Sequence, residues 1–166
     1  MTVLYWTLGL VALQRLIELA HARRNTARLR RRGAVEADSG GYPLYVLLHA
    51  GWLVSLALFV PAETSPNWLL IGLYALLQLG RIWVIVSLGG YWTTRIITLP
   101  DAPLVQTGPF RYLRHPNYLL VAAEIAVLPL AFGAVGVATA LSAFNLMLIA
   151  RRIRIEECVL APRRGA

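Results

Sequence analysis

Trp68-Leu-Leu-Ile-Gly-Leu-Tyr-Ala-Leu-Leu-Gln-Leu-Gly-Arg-Ile-Trp-Val-Ile-Val-Ser-Leu88 carries a single charge, Arg81. A run of that length, rising about 1.5 Å per residue as a helix, crosses roughly 30 Å of hydrocarbon. Working outward, Leu44 to Val60 is a second apolar stretch, interrupted by His49. Val3 to Ala20 is a third, clean to Leu13 and then carrying Gln14, Arg15 and Glu18. On the C-terminal side, Tyr118 to Phe132 and Ala134 to Ala150 read as the arms of a helical hairpin turning at Phe132-Gly133-Ala134. Pro129 should kink the first arm near its end. The pattern predicts an all-α integral membrane protein of about five transmembrane helices, a single domain over residues 1–166.

Composition agrees. Of the 166 residues, 58% are hydrophobic and 14% charged, against about 45–50% and about 25% in ordinary soluble domains. That excludes disorder, coiled coil and most nucleic-acid readers. The formal charge is +8 and all 16 basic residues are arginine. A pI of 10.6 would suit nucleic acid, but the arginines are sorted by loop. Arg23, Arg24, Arg28, Arg30, Arg31 and Arg32 follow Val3–Ala20; Arg95, Arg111 and Arg114 follow Trp68–Leu88; Arg151, Arg152, Arg154, Arg163 and Arg164 follow Ala134–Ala150. The connections at Pro61–Asn67 and Gly133 have none. By the positive-inside rule the arginine-bearing side is cytoplasmic and the N-terminus lies outside. The first cluster has two readings: topology alone, or binding of an anionic lipid or substrate. Cys158 is the only cysteine, so no internal disulfide or multi-cysteine metal site is expected, and no metal is assigned. The first apolar segment lacks a basic n-region and a small-residue cleavage site, and is expected to be retained.

Inside the spans, Arg15 and Glu18 are three residues apart on one helical face and can pair to orient the first helix. His49 and Glu124 are each expected to make one interhelical hydrogen bond. Arg81 has two candidate partners, a lipid headgroup and a cytoplasmic loop.

The chemistry-bearing segment is Leu99-Pro-Asp-Ala-Pro-Leu-Val-Gln-Thr-Gly-Pro-Phe-Arg-Tyr-Leu-Arg-His-Pro-Asn-Tyr118. It is too polar to span, and Pro100, Pro103, Pro109, Pro116 and Gly108 exclude one continuous helix. Arg111, Arg114 and His115 offer donors; Phe110, Tyr112 and Tyr118 offer flat faces. Pro116 suits the first turn of the next helix, which puts His115 at its start. A second polar stretch, Arg151-Arg-Ile-Arg-Ile-Glu-Glu-Cys-Val-Leu160, continues the last span, with Arg152 and Glu156 four apart on one face. A rigid interfacial connector and an amphipathic tail remain the alternative readings of the two stretches.

Thr107-Gly-Pro-Phe-Arg-Tyr-Leu-Arg-His-Pro-Asn-Tyr118 together with Arg152-Ile-Arg-Ile-Glu-Glu-Cys-Val-Leu160 resembles the isoprenylcysteine carboxyl methyltransferase family, small membrane enzymes that use S-adenosylmethionine. The resemblance covers roughly residues 70 to 160. The opening, Gln14-Arg15-x-x-Glu18 with Arg24-Asn25, Arg32-Gly33-Ala34 and Tyr42-Pro43, resembles a bacterial branch, some members of which O-methylate polyketide alkylpyrones. The resemblance implies a cytoplasmic S-adenosyl-L-methionine pocket built from the loop 99–118 and the segment 151–166. Ala102, Pro103, Leu104 and Val105 would lie along the cofactor with their main chain, and Phe110 supplies an aromatic contact where the family often has tyrosine. His115, Pro116, Asn117 and Tyr118 match the cofactor-binding string, Glu156 the acidic cofactor contact, and Arg152 the arginine that holds substrate. The family usually continues past the Glu-Glu pair with a tyrosine-bearing cytoplasmic segment, whereas this chain stops at Ala161-Pro-Arg-Arg-Gly-Ala166, so the lid over the cofactor is expected to be incomplete, or supplied by another part of the chain or a second subunit. The implied reaction is methyl transfer to an acidic oxygen of a lipophilic, membrane-partitioned small molecule, in a bacterial cell membrane and with no nucleic-acid partner. N-methylation of a phospholipid amine, an NADPH-dependent reductase of the sterol-reductase type and a non-catalytic adaptor are the competing readings.

Overall fold

In the computed structural model, residues 2–100 and 102–164 are described, the side chains of 162–164 excepted. Asp101 of the predicted cofactor loop and Gly165 and Ala166 of the predicted C-terminal segment lie outside them. Five helices form: α1 (Val3–Arg31), α2 (Tyr42–Phe59), α3 (Trp68–Leu88), α4 (Pro116–Ala131) and α5 (Val135–Arg164). Two strands of two residues each, β1 (Val35–Glu36) and β2 (Ile97–Thr98), pair antiparallel, with Val35 opposite Thr98 and Glu36 opposite Ile97.

Among the described residues, four helices are long and apolar enough to cross a membrane: α1, α2, α3 and α5. The expectation of five spans needs correction for α4. It has 16 residues, about 24 Å at 1.5 Å per residue, short of a hydrocarbon core of about 30 Å. Pro129 and the turn at Gly133 (φ +70°) end it early. That turn needs the left-handed region, which glycine enters without the Cβ clash. Pro129 also frees the carbonyl of Ile125, four residues back, because it has no N–H to donate. The Trp52 Nε1–H of α2 donates to that carbonyl at 3.2 Å, so the interruption is sealed by a neighbouring helix.

A second correction concerns the first arginine cluster. Instead of forming a loop, residues through Arg31 extend α1 well past Ala20. Arginine is a good helix former, and Arg28, Arg30 and Arg31 in the last turn suit the negative end of the helix dipole.

Around the bundle, α1 packs on α2, α2 on α5, α5 on α4 and α4 on α3. Leu4, Leu8, Val11, Trp52, Leu56, Tyr74, Ile125, Leu128 and Phe132 form the apolar core. The outer faces expose Trp6, Leu10, Leu58, Phe59, Leu69 and Val86. Such a surface is costly in water and ordinary against lipid. At the start of α3, the Asn67 side chain accepts from the main-chain N–H groups of Leu69 and Leu70, two donors that helix termini otherwise leave orphaned.

The circuit closes through charge. Arg15 and Glu18 pair at 3.1 Å as expected, but the pair belongs to a larger network. Arg81 on α3 donates to Glu18 through Nε (2.7 Å) and Nη2 (2.8 Å) and to Glu124 on α4 through Nη1 (3.1 Å). Glu124 also accepts from Arg15 (2.6 Å) and Gln78 (3.1 Å), and Gln14 joins Gln78 at 2.7 Å. Two guanidiniums and two carboxylates therefore balance in a buried cluster, where an unpaired charge would be prohibitive. Glu124 thus makes three hydrogen bonds to two helices, not one. Arg81 meets this cluster, not a headgroup. His49 Nδ1 sits 2.8 Å from the Tyr45 carbonyl of its own helix, so the interhelical bond expected of it is not the one observed.

Candidate active site

At the end of the bundle where the strands pair, two adjoining cavities share Leu88, Tyr91, Ile97, Phe110, Arg114, Glu156 and Leu160. The larger, about 570 Å³, is lined by Ala102, Pro103, Leu104, Val105, Gln106 and Arg111 in addition. The smaller, about 140 Å³, is lined by Trp92, Arg95, His115, Asn117, Tyr118 and Arg152. Together they make one cleft of a size that suits a cofactor-sized ligand.

The local folding follows from the loop sequence. Gly108-Pro-Phe-Arg111 is a single 3-10 turn, and Gly108 has φ +60°. A Cβ there would stand 2.1 Å from Ser87 Oγ at the end of α3. Glycine thus serves twice, in its backbone angle and in letting the loop lie on the helix. Pro116 opens α4 with His115 at the N-cap position, as the sequence predicts. Pro116 is buried and lines neither cavity, so it acts by fixing the turn that presents its neighbours. Tyr112, a candidate flat face, is instead 74% exposed and also lines neither.

Arg152 and Glu156 meet at the Tyr118 hydroxyl. Tyr118 donates to Glu156 Oε2 and accepts from Arg152 Nε at 3.0 Å. The Arg152 Nη2 donates to the Thr94 carbonyl at 2.9 Å, and its guanidinium lies over the Tyr45 ring at 5.0 Å and the Tyr118 ring at 5.6 Å. The four-residue spacing puts both on one face without pairing them directly; a side chain of α4 is interposed. His115 stacks on Tyr118 with ring centroids 5.5 Å apart. Its Nε2 lies 2.5 Å from Glu157 Oε1 and its Nδ1 3.9 Å from Glu156 Oε1. The structure thus brings Phe110, His115, Asn117, Tyr118, Arg152 and Glu156 to one wall and Ala102–Val105 to the other.

Residues that sequence reasoning did not single out complete the cleft. Trp92, Thr93 and Arg95 lie between α3 and β2, and Glu157 orients His115. Asn25, buried on α1, donates from Nδ2 to the carbonyls of Gly89 (3.1 Å) and Trp92 (2.9 Å), tying α1 to the cleft floor. Arg81 of the buried network reaches the Trp92 ring at 5.9 Å. The usable signal was an aromatic and polar run, Tyr91-Trp-Thr-Thr-Arg95, directly after a span.

Two buried polar atoms on this wall have no hydrogen-bond partner among the described residues, the acceptor Asn117 Oδ1 and the donor Trp92 Nε1. Buried polar groups are nearly always satisfied, so this pair is available to a polar ligand. With Glu156 for a cation, Arg111 and Arg114 for an anion and two aromatic rings, the donor set fits a zwitterionic nucleoside cofactor such as S-adenosylmethionine.

Comparison with known proteins gives the same direction. The sequence model of the isoprenylcysteine carboxyl methyltransferase (ICMT) family matches residues 70–162. The chain is 35% identical to the uncharacterized protein YpbQ of Bacillus subtilis over 162 residues, covering 95% of this chain and 96% of that one. It is 33% identical to an uncharacterized protein of Haemophilus influenzae over 100 residues, 60% of this chain and 57% of that one. No solved structure matches.

Proposed function

Since the chain belongs to the isoprenylcysteine carboxyl methyltransferase family, whose members are membrane methyltransferases, we propose that it uses S-adenosylmethionine to methylate an acidic oxygen of an apolar, membrane-partitioned molecule. A polyketide alkylpyrone is the substrate of choice. The observation that carries this reading is the convergence of two distant motifs on one cleft, with Tyr118 joining Glu156 to Arg152. The asymmetry of the arginines supports a cytoplasmic cleft and an external N-terminus in a bacterial cell membrane.

Bound S-adenosylmethionine supplies an activated methyl group on its sulfonium. Glu156, Asn117, His115 and Tyr118 would hold it on one side and the main chain of Ala102, Pro103, Leu104 and Val105 on the other, with Phe110 between the two cavities. Pro116 fixes the turn that presents these groups. Arg152, already anchored by Tyr118 and Thr94, keeps Nη1 for the anionic oxygen of the substrate. An enol or carboxylate of that acidity is ionised at neutral pH, so no side chain has to take a proton. The chain's tasks are alignment and exclusion of water. Leu88, Ile97, Val159 and Leu160 give the cleft the apolar lining that the second task requires.

The test is cofactor binding by the purified protein, followed by transfer of a labelled methyl group to a long-chain alkylpyrone. Binding of S-adenosylmethionine and its demethylated product, and not of NADPH, is expected. Binding of NADPH alone would replace this reading with a membrane reductase. Transfer to a phospholipid amine and not to the pyrone would reassign the acceptor.

A further inference from the structure

Behind the cleft lies a second concavity of about 270 Å³, lined by Arg23, Thr26 and Arg30 of α1, Tyr42 of α2, and Thr94 and Arg95 before β2. Glu36 on β1 serves two of these arginines, Arg95 at 2.6 Å and Arg30. Arg23 has no hydrogen-bond or ion-pair partner among the described residues. Positive charge is thus left uncompensated in a hollow lined also by Thr26 and by Tyr42, whose hydroxyl meets Thr94 Oγ1 at 3.3 Å. Membrane topology accounts for arginines near the end of a span but not for their convergence. Arg24, Arg28, Arg31 and Arg32 meet that need from outside the concavity.

The helix register suggests the occupant. Leu16, Arg23 and Arg30 recur every seven residues, close to two turns, and so lie along one stripe of α1. Leu16 is 63% exposed on the lipid-facing part of that stripe. Arg23 stands about 10 Å further along at 1.5 Å per residue. We propose that this concavity binds the phosphate of an anionic phospholipid whose acyl chain runs along Leu16. The headgroup competes with Glu36 for Arg95, and Arg95 lines the catalytic cleft as well. Thr94, beside it, holds Arg152 through its carbonyl. Lipid composition is therefore read next to the residue assigned to substrate.

The experiment is a native mass-spectrometric titration of the full chain in detergent with phosphatidylglycerol, phosphatidylcholine and inorganic phosphate. Phosphatidylglycerol should bind more tightly than phosphatidylcholine, and inorganic phosphate should not displace it at equal concentration. Arg23→Gln should weaken phosphatidylglycerol about five-fold, the contribution of one basic group near a membrane surface, while Arg32→Gln changes it less than about two-fold. Equal losses in the two variants would assign the effect to diffuse surface charge and overturn the site. Equal binding of the two lipids would overturn the anion selectivity, and displacement by inorganic phosphate would overturn the lipid. The wild-type arms decide these last two points even where a variant fails to fold.

Discussion

Tyr118→Phe removes one oxygen atom and tests how the cleft is wired. The hydroxyl donates to Glu156 and accepts from Arg152 at 3.0 Å, so its loss breaks two charge-assisted hydrogen bonds and leaves the ring stacked on His115. Bonds to charged groups contribute about 1.5–3 kcal/mol each. The Glu156 side chain is 29% exposed, so water replaces part of what it loses, and the lower end applies. Arg152 keeps its bond to Thr94 and its place over Tyr45, so the lower end applies there too. About 1.5 kcal/mol is roughly ten-fold. On the proposed assignment the two losses appear in different measurements. Cofactor affinity, by titration calorimetry, should fall about ten-fold through Glu156. The kcat/KM for a long-chain alkylpyrone at saturating cofactor should fall by a further factor of about ten through Arg152. Tyr118→Ala should be worse in both, because the stacking surface goes as well. If Tyr118→Phe changes neither quantity, only the ring matters and the hydroxyl bridge has no part in function. If cofactor affinity alone moves, Arg152 is not a substrate contact.

Glu124→Gln strands two buried guanidiniums on one carboxylate and should destabilise the protein by about 3–5 kcal/mol; the charge-balanced Glu124→Gln/Arg15→Gln double variant should recover part of that loss, as read from Tm in detergent, and strict additivity would argue against a coupled network. Gly108→Ala forces a side chain into the left-handed region, about 1–2 kcal/mol, and against Ser87; it should cost more than that and weaken cofactor binding, while Gly136→Ala, in open space on α5, should be harmless in a thermal scan. The hydrogen bond from Arg151 holds the Asp38 carboxyl below the usual carboxylate range. The stability it contributes is therefore present above the unfolded carboxylate pKa of about 3.9 and is lost as pH falls through the lower folded value. The Tm gap between wild type and Asp38→Asn should be flat at neutral pH and close in acid, and a gap independent of pH would refute the pairing.

The sequence alone was enough for features carried by local pattern. Apolar runs of span length mark α2, α3 and α5, because hydrocarbon thickness sets a length that can be counted. Pro116 and Gly133 mark the start of α4 and the turn after it, because a missing N–H and a missing Cβ are local properties. The spacing of Arg152 and Glu156 places them on one helix face, because 3.6 residues make a turn. What the spacing could not say is that the two do not pair. That was decided by Tyr118, which reaches them from another helix. The length of α1 was also hidden, since its basic final turns carry no apolar period and are held by helix propensity and by Asn25 on the cleft floor. Strands of two residues are too short to show alternation, so β1 and β2 exist only through each other. Arg81 and Glu124 looked like isolated charges, and Arg15 and Glu18 like a pair complete in itself, because their further partners are distant in sequence. A buried charge is tolerated only when paired, so their proximity had to be resolved by three helices packing together, and only the tertiary structure records how.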